Sequence, residues 1–343
     1  MELLKRLSEA HGVSGYEAPV RQLIVDELKG IVDSIEVDNL GNVIAHKKGE
    51  GPRVMLAGHM DEIGFLVSHI DGDSGFLRIL PVGGFDPVTL VAQRVDVHTK
   101  DGLLTGCIGR KPIHIMSAAD RKKPIELRDL FVDVGLSGEV VKEKVSVGDV
   151  VTLRQSYIEY GNVVSGKALD DRLGVYVAIE AMKQAKKLDC DLYIVATTQE
   201  EVGLRGASAS SYNINPDIGI ALDVCIAADT AGVDAKEQVS KQGKGVGITF
   251  KDARAVWHPL LVRAMRELAD AKDIPYQLVV PGSGGTDAAA IQLARSGSAA
   301  MAICIPTRYV HSVVETVHVE DIKATIDLMA AFLETAGSLD LSF

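Results

Sequence analysis

Apolar residues at Leu3, Leu4 and Leu7, and again at Val20, Leu23, Ile24 and Leu28, recur at helical spacing. They predict two amphipathic helices separated by Gly12-Val13-Ser14-Gly15. The period then shortens: residues 35–38 and 42–46 flank the turn-forming Asn39-Leu40-Gly41 and read as a hairpin, and the apolar run 53–58 reads as a further strand. From about residue 67 to 162, short alternating runs (94–98, 103–107, 149–153) are separated by Gly, Pro and Asp, with little helical periodicity. This stretch predicts a small all-β module of barrel or sandwich type. Helix and strand patterns then alternate again. A helix runs through Val177, Ile179 and Met182, strands cover 192–196, 217–222, 245–250, 276–280 and 299–305, and helices are expected at 259–271, after residue 287, and at 319–335. The expected organisation is an α/β domain made of residues 1–66 and 163–343, with residues 67–162 inserted into it as a β domain.

Composition adjusts this picture in a few places. A chain of 343 residues with 47% hydrophobic content can bury a sizeable core, and its length suggests about two domains. The formal net charge of −11 argues against nucleic acid or an anionic membrane as partner. The basic cluster Arg121-Lys122-Lys123 reads as a solvated loop. Cys107, Cys190, Cys225 and Cys304 lack paired spacing, so neither a disulfide framework nor a thiolate metal cluster is expected. With no signal-like N-terminus and no run of about 18 apolar residues, the expected location is the cytoplasm.

The candidate chemistry lies where apolar runs end. Glu200-Glu201 follow the run 192–196, and burying ionised carboxylates costs several kcal/mol unless cations or donors compensate. His59 and Asp61 follow the run 53–58, which in an open α/β sheet is where ligands collect, and the acid two residues on suits an outer-shell partner for the histidine. Asp170-Asp171 open a helix: one Asp is explained as a cap, and the second is surplus and could bridge two cations. Asp223 ends one strand and His311 follows another. His69, His98 and His114 have no such companions and are expected to be structural or interfacial. The glycine loop 282–285 has neither the P-loop ending nor the dinucleotide spacing. It is expected to let a peptide approach, with Asp287 capping the next helix or lining the pocket.

Gathered around one cleft, His59, Asp170, Glu200, Glu201, Asp223 and His311 form a mixed N/O set suited to zinc, cobalt or manganese. Two ions fit better than one, since a carboxylate-bridged pair about 3.5–4 Å apart can hold a shared hydroxide and polarise a carbonyl. One glutamate must stay off the metals to move the proton, a duty that Glu200 and Glu201 can divide with metal binding.

Gly58-His59-Met60-Asp61-Glu62-Ile63-Gly64, Lys167-Ala168-Leu169-Asp170-Asp171-Arg172, Gln199-Glu200-Glu201-Val202-Gly203, Ala221-Leu222-Asp223 and Pro306-Thr307-Arg308-Tyr309-Val310-His311-Ser312 resemble, in order, the motifs of the tetrahedral aminopeptidases. These are the family 42 co-catalytic metallo-aminopeptidases, which include glutamyl and deblocking enzymes. The resemblance spans essentially the whole chain, including the Gly83-Gly84-Phe85-Asp86-Pro87 turn of the insertion. It implies a three-layer α/β/α zinc-peptidase-type domain with an inserted barrel-like dimerisation domain, and dimers that build a hollow tetrahedral dodecamer. It further implies that Asp170 bridges two divalent ions, zinc or cobalt with manganese as a third option. His59 and Asp223 would complete one site, Glu201 and His311 the other, with Glu200 as general base and acid and Asp61 orienting His59. The choice of Asp170 over Asp171 rests on the resemblance alone. The expected substrates are peptides with a free N-terminus. Glycoside hydrolysis by the paired carboxylates, or a metal-stabilised scaffold without catalysis, are the alternatives.

Overall fold

The computed structural model describes residues 1–342. At its centre four strands lie parallel in the order Asp191–Thr197, Arg53–His59, Ile218–Ile226 and Ala299–Arg308. Each is a nearly continuous apolar run, as strands covered on both faces require. Successive residues serve opposite faces. Val54 and Leu56 join the large core shared with the helices Glu2–Glu9, Leu169–Gln184 and Val319–Leu333, whereas Met55 and Ala57 join a smaller core under the helices Arg205–Ile214 and Asp287–Gln292. Helices therefore cover both faces of the sheet, giving the expected three layers.

Further strands, all but one of them paired antiparallel, extend the sheet to eleven. The hairpin Ser34–Val37 with Val43–Lys47 forms one edge in the register Val37↔Val43. Beyond Ala299–Arg308 come Glu315–His318, Val163–Gly166 and Ile158–Tyr160, while Val246–Thr249 branches off the same strand and Tyr276–Val279 pairs with Val246–Thr249 in turn.

The insertion closes into a six-stranded barrel, deciding between the barrel and sandwich that the pattern allowed. Its strands are Gly64–Ile70, Leu77–Val82, Leu130–Asp133, Gly102–Arg110, Arg94–Thr99 and Val150–Leu153, around a core that includes Phe65, Val67, Val95, Val132 and Val151. The first barrel strand begins at Gly64, only a short turn after His59, and Ile158–Tyr160 already pairs with the large sheet. Alternating polarity runs through both regions, so periodicity alone does not mark where one sheet hands over to the other.

None of the three histidines set aside above joins a ligand-like group among the described residues. His98 Nε2 lies 2.9 Å from Thr152 Oγ1, its ring standing edge-on to His11, while His69 is exposed near Asp71 and His114 lies in an exposed turn. All four cysteines are free thiols, and no described helix is long and apolar enough to cross a membrane.

Candidate metal centre

The register of the parallel strands brings the first residues of the site together. Thr197 pairs with His59, and Ala221 with Ala57, so continuing the register by two places sets Asp223 level with His59 at the carboxyl end of the sheet. The helix Leu169–Gln184 crosses directly over this end. That approach needs glycine at position 58, where a Cβ would lie 2.6 Å from the Val175 backbone nitrogen.

The helix opens irregularly. Ala168 is left-handed, Asp170 and Asp171 are non-helical, and the peptide between the two aspartates is cis. Their side chains part company. Asp171 Oδ1 accepts from the Gly174 amide, three residues on, as an N-cap does, and its Oδ2 accepts from the His59 amide. Asp170 instead presents Oδ1 to His59 Nε2 at 3.0 Å and Oδ2 to His311 Nε2 at 3.4 Å.

Two ligand-like groups result, with Asp170 common to both. His59, Asp170 and Asp223 form one, and Asp170, Glu201 and His311 the other; within each, the donor atoms lie within 4.8 Å of one another. Glu201 Oε1 is 3.2 Å from His311 Nε2. Glu200 belongs to neither group, and its Oε2 stands 3.9 Å from His59 Nε2. Asp61 sits behind this arrangement, fully buried. Its carboxylate is 3.4 Å from His59 Nδ1 and accepts the amides of both Glu200 and Glu201, as well as the Ser14 hydroxyl. It thus positions the imidazole and the glutamate turn at once.

The electrostatics are those of crowded acids. Burial, reinforced by neighbouring carboxylates, holds Glu200, Glu201 and Asp223 above the ordinary range. Burial acts the same way on Asp170, but the two imidazoles outweigh it and hold that carboxyl low. Burial opposes protonation of His311, yet Asp170 and Glu201 push it up to about 11, and His59 is raised for the same kind of reason. Groups that hold a proton so firmly on an imidazole exert the same pull on a cation. Two donors on one tetrahedral ion at about 2.0 Å stand about 3.3 Å apart. The 3.0, 3.2 and 3.4 Å separations fit that edge length, and the mixture of imidazole and carboxylate fits a borderline divalent metal.

Several residues of the site carry no warning in the sequence. Glu315, almost fully buried, accepts the Asp170 amide with Oε2 and the His311 amide with Oε1, both at 2.9 Å. It ties down a loop in which Tyr309 and His311 both have positive φ. Beneath it, Lys167 and Glu62 form a buried ion pair at 2.7 Å, and the fully buried Arg172 adds a contact to Glu62 while donating to the carbonyls of Leu7 and Ala10. Glu62, Lys167 and Arg172 lie inside recognisable motifs, but only their burial reveals that they anchor the N-terminal helix under the site. The barrel reaches the site too: a Cβ on Gly84 would lie 3.5 Å from His311 Nδ1.

A cavity of about 440 Å³ opens over the two groups, walled on its far side by Arg254 and the loop from Pro281 to Thr286. Asp287, expected to cap a helix or line this pocket, does neither. It is turned inward to accept from Thr197 Oγ1, and burial raises its carboxyl to about 6.

Comparison with known proteins gives a consistent result. Residues 41–328 match the family model described as M42 glutamyl aminopeptidase, and residues 1–23 match a second model, AMPT. The chain is 40% identical over 347 residues to a lysyl aminopeptidase of Pyrococcus furiosus, covering 99% of each chain. Among solved structures it is similar to an aminopeptidase of the archaeon Desulfurococcus kamchatkensis, at 44% identity and a TM-score of 0.92, covering 97% of this chain and 94% of that one. It is also similar to the Pyrococcus horikoshii TET1 peptidase, described as assembling into a tetrahedron or a large octahedral shell, at 35% identity and a TM-score of 0.85, covering 97% and 98%.

Proposed function

Because this chain belongs to the M42 peptidase family, we propose that it is a metal-dependent aminopeptidase that removes N-terminal residues from peptides with a free α-amino group. The observation that carries the proposal is the division of labour at Asp170: one oxygen faces each imidazole, with Glu200 left outside both ligand-like groups. In this reading two divalent ions, zinc, cobalt or manganese, would be held with Asp170 shared between them, His59 and Asp223 completing one site and Glu201 and His311 the other. When bound, such ions supply an acidified water and polarise the scissile carbonyl. Glu200 takes the proton released from water and hands it to the departing amine, a role that suits a carboxyl already held above its usual range by burial. Asp61 keeps His59 and the Glu200 backbone in register for this.

The assembly reading follows the relatives. The P. horikoshii peptidase builds a closed shell, and we assign the inserted domain, residues 67–162, to dimerisation, with dimers assembling into a tetrahedral dodecamer in the cytoplasm.

The decisive variant is Glu200→Gln. It should keep two ions per subunit while losing about 10²–10⁴-fold in kcat on aminoacyl anilides. Near-normal turnover with both ions bound would show that Glu200 is not the proton carrier.

A further inference from the structure

The turn that carries His311 needs an anchor outside itself. Tyr309 and His311 both have positive φ, a backbone that persists only where its surroundings over-determine it. Within the turn, the Ser312 hydroxyl donates to the Tyr309 carbonyl and accepts the Val314 amide, contacts that set the shape of the turn but not its place. The turn springs from the strand pair Ala299–Arg308 and Glu315–His318, and the register pair nearest to it is Arg308↔Thr316. On the side facing Asp223, the ladder between Ile218–Ile226 and Ala299–Arg308 stops at Ile226↔Thr307. Arg308 lies one residue past that end.

Side chains take over there. Arg308 donates from Nε and Nη2 to the two carboxylate oxygens of Asp229, at 2.8 and 2.7 Å. Asp229 Oδ2 also accepts the Gln242 amide at 3.2 Å, and Gln242 Nε2 donates to the Thr316 carbonyl. Asp229, Arg308, Thr316 and Gln242 therefore close a ring around the base of the His311 turn. Asp229 and Gln242 both belong to the segment that follows the strand of Asp223, and this segment is itself tied down. Ser240 Oγ donates to the Ile226 carbonyl, and Asp321 accepts the amides of Gly243 and Gly245. The Arg308 and Asp229 side chains are 29% and 16% exposed, so the pair is better shielded than an ordinary surface ion pair. Its two parallel N–H donors fix angle as well as distance, which a lysine could not do.

We infer that Asp229 and Arg308 are positioning residues: their pair fixes the His311 turn, and with it the group formed by Asp170, Glu201 and His311, against the strand that carries Asp223. Neither belongs to a ligand-like group. The inference rests on the metal-dependent reading above, and zinc binding tests it without any peptide hydrolysis.

Full-length wild type is compared with Asp229→Asn, Arg308→Lys and the double variant. Both substitutions are conservative and both positions are partly solvated, so thermal unfolding of the metal-free proteins should be nearly unchanged. Zinc is withdrawn with a competing chelator, and leucyl p-nitroanilide cleavage is followed as zinc is returned. Each single variant should weaken the more loosely held zinc about 10-fold, while the other zinc moves less than about 3-fold. Turnover at limiting zinc should fall and should recover when zinc is raised about 10-fold. The double variant should lose about as much as one single variant, since both substitutions remove the same contact. Unchanged zinc binding, an equal shift of both zincs, or additive losses in the double variant would overturn the inference. A wild type that binds two zincs but cleaves no free-amine anilide would overturn the aminopeptidase reading, leaving this inference to stand or fall on the zinc titration. A wild type that binds no zinc would overturn both.

Discussion

The two halves of the candidate centre are built on different kinds of backbone. His59 and Asp223 belong to neighbouring central strands, and the His59 side chain is only 3% exposed. The sheet register holds them, and the Asp171 carboxylate secures the His59 amide. Glu201 and His311 come from connections. The His311 side chain is 35% exposed, its φ is +62°, and its amide is held by donating to a buried acid, Glu315. Sheet geometry preorganises one half and side-chain clamps the other, with Asp170 shared between them. The lesson is that two sites of similar donor chemistry can differ in rigidity, and rigidity should decide how they keep their ions.

The widest gap between the halves should appear when each imidazole is removed. Both His59→Ala and His311→Ala should lower turnover by at least about 10³-fold if, as proposed, each takes a ligand from a centre that works as a unit. Metal content should tell them apart. After dialysis, His311→Ala should retain about one ion per subunit on the strand-borne half, whereas His59→Ala should retain clearly less, because Asp170 then loses its closest imidazole partner as well. Elemental analysis of the dialysed proteins is the measurement. Equal retention would remove the proposed asymmetry.

A smaller and more selective effect is expected from Glu315. Glu315→Gln keeps the size of the side chain but replaces one accepting oxygen with a donor, leaving either the Asp170 or the His311 amide unsatisfied. Loss of such an outer partner typically costs about 10–100-fold in metal affinity. The loss should fall mainly on the more weakly held ion, read as the first step of a competitive chelator titration, with the second step moving much less. A parallel shift of both steps would mean that Glu315 supports the fold as a whole and has no special claim on the loop-borne half.

This contrast also explains what could be read from the sequence. His59, Glu200, Glu201 and Asp223 are visible because a buried parallel strand leaves a recognisable apolar run, and ligands gather where such runs stop. The barrel was visible as a change of period, but its closure depends on pairing between strands far apart in the chain, so barrel and sandwich look alike in one dimension. Asp170 and Asp171 could not be told apart, being neighbours of identical chemistry whose difference lies in which way each side chain turns. Glu315 and Asp287 were opaque for a related reason. Each looks like an ordinary acid at the start of a strand or helix, and the partner that matters, the Asp170 amide for Glu315 and the Thr197 hydroxyl for Asp287, lies far away in the chain.

The mildest prediction joins the two halves. Ser14, in the loop between the first two helices, donates its hydroxyl to Asp61 Oδ2. Asp61 in turn touches His59 on the strand-borne side and the Glu200 and Glu201 amides on the other. Ser14→Ala leaves those three contacts in place and removes one hydrogen bond to a buried charge, a loss of about 1.5–3 kcal/mol when the acceptor finds no substitute. Part of that cost should appear as lower unfolding stability. The rest should appear as a decrease in kcat of roughly 3–10-fold with KM little changed, because a looser Asp61 misplaces the His59 imidazole and Glu200, the proposed proton carrier, without touching the cavity wall. Chelator titration of the same variant gives the discriminating result: Asp61 serves both halves, so both steps should shift together and slightly, unlike the one-sided shift expected for Glu315→Gln. A one-sided shift in Ser14→Ala would mean that Asp61 acts chiefly on one half, and would move the boundary between the rigid and the clamped parts of the centre to Asp61 itself.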